Sequence, residues 1–123
     1  MISDAQARPF ANEWIAAWNG HDMEKILAHY ADEIEFSSPF VIRLFNEPSG
    51  TIRGKERLRD YFAKGLAAYP DLKFELFHVL TSIQSVVLYY RSVKNLLAAE
   101  VMFFNPEGKI IKVVAHYTEQ NPD

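Results

Sequence analysis

Glu100 stands in the run AAEVMFF, a single carboxyl among alanines, a valine, a methionine and two phenylalanines. A carboxylate in such a strand is costly unless it is paired or protonated, so this residue either has a partner or titrates high enough to exchange protons near neutral pH. With a tight turn at Lys94-Asn95, Tyr89 falls opposite Glu100 and Arg91 lies two residues along on the same face. A loop one residue longer brings in Tyr90 instead. Two readings stand side by side: an ion pair with Arg91 that merely lines the interior, and a functional acid. His116, near the end of the last apolar run, is the second acid-base candidate. The expected register places it on the face away from Glu100, where a solitary histidine favours an edge or subunit contact over catalysis.

Aromatic residues supply the surroundings such chemistry needs. Trp14 and Trp18 are four apart on one helical face, which suits core packing first and a ligand platform second. Tyr30 and Tyr61 carry hydroxyls that require partners if buried. These four, with Ser38 and Phe62, are expected to converge on one pocket, and Tyr89, Met102, Phe104, Val113 and Tyr117 would complete its wall from the sheet. The ligand this composition fits is small and apolar or aromatic. His21, His29 and His78 show no H-x-H or H-E-x-x-H spacing, so no metal site is expected. There is no P-loop, no glycine-rich dinucleotide fingerprint and no G-x-S-x-G elbow, and no cofactor is expected.

The elements that must position these residues fall in two halves. Phe10, Trp14 and Trp18, with Ala11, Ile15 and Ala17, read as a helix from Phe10 to Asn19 ended by Gly20 as a left-handed cap. Ser3 and Gln6 have capping-box spacing, but Pro9 would then lie inside the helix, which leaves its start open. Asp22 is an N-cap for a short helix bearing Ile26, Leu27 and Tyr30 on one face, and Ile34 to Ser37 is extended. FVIRLFNEPSGTIRG reads as a second strand or a long loop able to act as a flap. KERLRDYFAKGLAAY is a third helix stopped by Pro70. KFELFHVLTS, SVVLYYRSV, LLAAEVMFF and KIIKVVAHYTE then follow as an antiparallel meander. A four-residue turn at Asn105-Pro106-Glu107-Gly108 would pair Phe104 with Lys109, Met102 with Ile111 and Glu100 with Val113. Glu100, Met102, Phe104, Ile111, Val113, Ala115 and Tyr117 then share one face, and Val101, Phe103, Ile110, Val114 and His116 the other. Both faces are largely apolar. Three helices can cover only one, so the outer face is expected to form a homodimer.

A length of 123 residues fits one domain, 1–123, and 49% hydrophobic residues suffice for a core. The net charge of -3 and the single basic cluster RGKERLR, which carries its own glutamate, argue against a nucleic-acid partner. The lack of cysteine excludes disulfides and thiol chemistry and suits a reducing compartment. With no apolar run of about 20 residues and no basic-then-apolar N-terminus, no membrane association is expected and the cytoplasm is the expected location.

The order of helix, short helix, YADE before a strand, a GKERLRDYF helix and a terminal meander ending in FFNPEGKIIKVVAHY resembles the nuclear transport factor two-like superfamily. More narrowly, the chain is similar to its SnoaL-like polyketide cyclase and ketosteroid-isomerase-like branch. The resemblance implies an α+β fold in which a cone-shaped, curved mixed β-sheet wraps three N-terminal helices, with a pocket between them. In the isomerase branch a carboxylate base follows the first strand, and a tyrosine and a protonated aspartic acid stabilise the enolate. The base position falls at Ser38 here, and a serine hydroxyl does not shuttle protons near neutral pH. The oxyanion tyrosine falls at Trp14 and its supporting tyrosine at Phe62, while the acidic partner is retained as Glu100. The resemblance thus implies a SnoaL-like binder of small apolar ligands with possible isomerase, cyclase or hydratase chemistry, and not steroid isomerisation by the family's route. The alternative is a non-catalytic ligand-binding or dimerisation module that has lost its base.

Overall fold

The computed structural model describes residues 1–118; the strand assignment made above for Glu119 lies outside them. The first helix, α1, spans Asp4–Asn19, six residues earlier than the apolar stripe alone indicates. Ser3 accepts from the Gln6 backbone and the Gln6 side chain accepts from the Ser3 backbone, so the capping box forms. Pro9 sits in the second turn. It forfeits one hydrogen bond on a solvent-facing stretch where water can serve the freed carbonyl, and the cap offsets that loss.

The helix ends without a left-handed glycine: Gly20 has a φ of -81°, and it is His21 that takes the left-handed conformation, at φ 52°. The His21 ring is held there by a 2.9 Å hydrogen bond to the Leu72 carbonyl. Asp22 caps α2, Met23–Leu27, as its side chain accepts from the Lys25 backbone. Strand β1, Tyr30–Ser37, follows.

The segment read as strand or loop opens as a helix, α3, over Pro39–Phe45. Ser38 is its N-cap and Pro39 its first residue, a start signal that outweighs the β-branched Val41 and Ile42. Asn46 ends it in the left-handed region. A short strand β2, Thr51–Arg53, leads to α4, Lys55–Ala68, which buries Leu58, Tyr61 and Phe62. The N-terminal half therefore holds a fourth helix beside the three expected.

The four strands expected after Pro70 are present as β3, Glu75–Thr81, β4, Ser85–Arg91, β5, Leu97–Phe104, and β6, Ile110–Tyr117. They form an antiparallel meander inside a six-stranded mixed sheet of order β2-β1-β6-β5-β4-β3, in which β1 runs parallel to β6. The helices pack on one face, and the core they enclose includes Trp14, Tyr30, Leu88, Met102 and Val113.

Register differs from expectation at both hairpins. Met102 pairs with Val113 and Glu100 with Ala115, because a bulge between Phe103 and Phe104 leaves Ile111 without a partner. Two residues of slip preserve facing, so Glu100, Met102, Val113, Ala115 and Tyr117 do share the inner side. Ile110, expected on the outer face, is fully buried instead. At the β4–β5 turn Lys94 and Asn95 both have positive φ, and Ser92 closes onto Leu96 around a three-residue loop. Glu100 then lies opposite Leu88, not Tyr89.

Candidate functional site

The residue that reaches Glu100 is Tyr90. It stands diagonal to Glu100 on the inner face of β4, and its hydroxyl donates to Glu100 Oε1 at 2.7 Å. Tyr89 points to the opposite face, where it stacks on His78 and meets Phe77. Arg91 pairs with Glu75 at 2.9 Å in solvent, so the Arg91 ion pair considered for Glu100 does not form. The longer loop is the cause: odd-numbered residues of β4 turn outward once the register moves by one.

Glu100 is only 3% exposed. Burial pushes its carboxyl up to about 7, while the Tyr90 hydrogen bond, which favours the charged form, pulls it part of the way back. Around it, burial and the nearby carboxyl raise the phenols of Tyr30, Tyr61, Tyr90 and Tyr117, which therefore remain protonated donors. A carboxyl poised near 7 among neutral hydroxyls can give or take a proton at physiological pH.

Glu100 lines a cavity of about 60 Å³. Of the residues expected to form a pocket, Trp14, Trp18, Tyr61, Phe62 and Tyr117 are in its wall together with Glu100. Trp14 donates its indole N–H to the Tyr30 hydroxyl at 3.1 Å, which ties α1 to β1 behind that wall. Trp18 Nε1 is the buried side-chain polar atom left without a hydrogen bond among the described residues. Met102 and Val113 are buried in the core without lining the cavity. Ser38 is also buried, spent on capping α3, with its hydroxyl toward Tyr61 and Tyr117.

One wall expectation fails on position. Phe104 packs edge-on against Phe10 at 5.1 Å, away from the cavity, and lines a separate surface groove. His116 is exposed on the outer face beside Ala99, the side on which the expected register puts it, and the sheet separates its side chain from that of Glu100.

Several wall residues were not singled out in the sequence: Phe40 and Leu44 of α3, Tyr69, Leu72, Phe74 and Ser92. Phe40 and Leu44 are one turn apart, a spacing that becomes informative once Ser38-Pro39 is read as a helix start. Phe74 stacks on Trp14 at 5.8 Å, and Asn19 fixes its backbone by hydrogen bonds of 2.6 and 3.0 Å. Among the described residues no group of three or more His, Asp or Glu could hold a metal ion, and no helix is long and apolar enough to cross a membrane.

Helices packed on one face of a six-stranded mixed sheet, with a buried acid in an aromatic cavity between the layers, define an NTF2-like protein. Residues 11–118 match the SnoaL-like domain, and the chain belongs to that family. A SnoaL-like protein of unknown function from Burkholderia thailandensis is similar at 45% identity, with a TM-score of 0.92 over 96% of this chain and 98% of that one. An NTF2-like protein of unknown function from Cytophaga hutchinsonii shares the fold at 16% identity, TM-score 0.71, over 96% of this chain and 95% of its own. A candidate ketosteroid isomerase from Kribbella flavida does so at 17% identity, TM-score 0.72, over 94% and 80%. No curated protein matches the chain.

Proposed function

We propose that this protein binds a small, largely apolar molecule in the cavity and moves a proton on it through Glu100, in an isomerisation, cyclisation or hydration. The observation that carries this reading is the Glu100 carboxyl, raised to about 7 by burial and held by Tyr90 in the wall of an aromatic cavity. Aromatic walls supply affinity through area and shape, and one titrating group supplies orientation and chemistry. Ketosteroid isomerisation by the family's route is not part of the proposal, because the base position holds Ser38, whose oxygen caps α3.

The whole chain acts in this reading as one domain in the cytoplasm, and it pairs with a second copy through the outer face of the sheet. Val87, Ala99, Val101 and Val114 lie half-buried on that face, and Leu80 and Phe103 are exposed there. A monomer that left this surface in water would carry an association-prone patch.

The test is titration of wild type and Glu100→Gln with planar phenols, small lactones and polyketide-like acids, followed by thermal shift and tryptophan emission. A genuine ligand raises the wild-type midpoint by about 4 °C or more at about 100 times its Kd. Loss of that shift, or of any turnover, in the glutamine variant supports the assignment; equal binding and turnover in both proteins rejects it. A second reading, a non-catalytic binding or dimerisation module, is favoured by the cavity's size. At about 60 Å³ it is far below the roughly 300 Å³ of a drug-sized pocket, its space taken by the protein's own rings.

A further inference from the structure

The cavity is too small and carries the wrong charge to hold an entire acidic ligand, yet it shares four wall residues with a second space that has what it lacks. Glu100 is the one charged residue in the cavity wall among the described residues. Tyr69, Leu72, Ser92 and Val93 belong both to that wall and to an adjoining groove of about 320 Å³, between the α4–β3 connection and the β4–β5 hairpin. The groove contains Lys73 and Lys94 against a single acid, Asp71. Lys94 is held at φ 57°, with its ammonium 6.0 Å from the centre of the Tyr69 ring at the junction.

Ser92 lies in both walls. It is 6% exposed, its backbone N–H is spent on Leu96, and its hydroxyl makes no hydrogen bond among the described residues. That hydroxyl can donate to a molecule lying where the two walls meet.

We propose that the groove is a subsite for the carboxylate end of the ligand, so that the molecule class this site takes is an apolar or aromatic body bearing a short anionic tail. The proposal rests on the cavity-binding reading above. The apolar body occupies the cavity, the linking segment passes Ser92, and the carboxylate lies between Lys73 and Lys94. An anionic group cannot sit beside the Glu100 carboxylate in a low-dielectric interior, so the ligand's charge is forced outward to the lysines.

Hexanoate and its uncharged methyl ester are the probes, titrated at pH 8 against tryptophan emission, since both tryptophans line the cavity. Wild type should bind hexanoate about fivefold more tightly than the ester, the scale of one exposed charge pair. That preference should vanish on raising ionic strength from about 0.02 M to about 0.5 M. The Lys73→Gln/Lys94→Asn variant, in which asparagine keeps the left-handed backbone, should lose the preference and retain the ester's affinity. Equal binding of acid and ester by wild type, or a preference that survives both salt and the double variant, overturns the subsite while leaving the cavity intact. Failure of both probes to bind overturns the subsite and the cavity reading together.

Discussion

The Tyr90 hydroxyl and Glu100 Oε1 meet at 2.7 Å across a diagonal of the β4–β5 pair, with Leu88 and not a tyrosine directly opposite the acid. A diagonal partner reaches along the strand, so Tyr90 can bond one carboxyl oxygen from the side and leave the other toward the cavity. The acid is thereby held in place without being neutralised by a cation.

Stability should record the burial of Glu100. Its pKa is 4.5 in the unfolded chain and about 7 when folded, so the folded state holds more protons between these values. Its favourable contribution is fully present below about pH 4.5 and is lost as pH rises toward and through 7. Glu100→Gln has no such dependence. Urea unfolding at pH 4.5 and pH 8 should therefore show the variant gaining about 3 kcal/mol on wild type between the two conditions. A constant difference would place the carboxyl in contact with water.

Removing the Tyr90 hydroxyl acts on the same titration in the opposite sense to its present effect. The hydrogen bond favours ionised Glu100, so Tyr90→Phe should raise the Glu100 pKa further above 7. At pH 8 the variant should lose about 1.5–3 kcal/mol of stability, the worth of a hydrogen bond to a charged group. NMR titration of the Glu100 side-chain carboxyl carbon in both proteins is the check, and an unchanged midpoint would contradict the assignment.

Ser38 serves as a cap in this chain. Ser38→Ala should cost about 1 kcal/mol by freeing the Phe40 backbone N–H, and it should loosen the start of α3. Because Phe40 and Leu44 stand in the cavity wall, amide exchange in residues 39–45 should quicken more than in α1.

The outer sheet face offers a test of association. Val101→Glu puts a charge at the middle of that face and should turn a dimer into a monomer in sedimentation at micromolar concentration, with the thermal midpoint falling as the interface is lost. A wild type that sediments as a monomer at the same concentration would refute the dimer.

Much of this fold was legible because its signals are long. Trp14, Trp18, Leu58 and Phe62 repeat at helical spacing over several turns, and the meander strands are bounded by turn residues. What failed was decided by single residues. One extra residue in the Lys94-Asn95 loop exchanged Tyr89 for Tyr90, and one bulged residue at Ile111 exchanged Ile111 for Ile110 in the core. In α3 a local start signal competed with β-branched residues, and the cap won because the helix buries Phe40 and Val41. The cavity wall was the least legible part, since only tertiary packing brings Phe74 onto Trp14 and Trp18 and sets Phe40 and Tyr69 around the same space.

The position of β6 has a consequence for how the chain assembles. It is the last strand in order, yet it lies inside the sheet, parallel to β1 on one side and antiparallel to β5 on the other. The meander of β3, β4 and β5 can form from local hairpins, but the junction with the helical half waits for the closing strand to emerge from the ribosome. Until then β1 and β5 both present open edges, and the aromatic helices lack part of the surface they cover. Folding rate should therefore be governed by that one long-range pairing, so weakening β1–β6 contacts should slow refolding more than weakening the β3–β4 hairpin does.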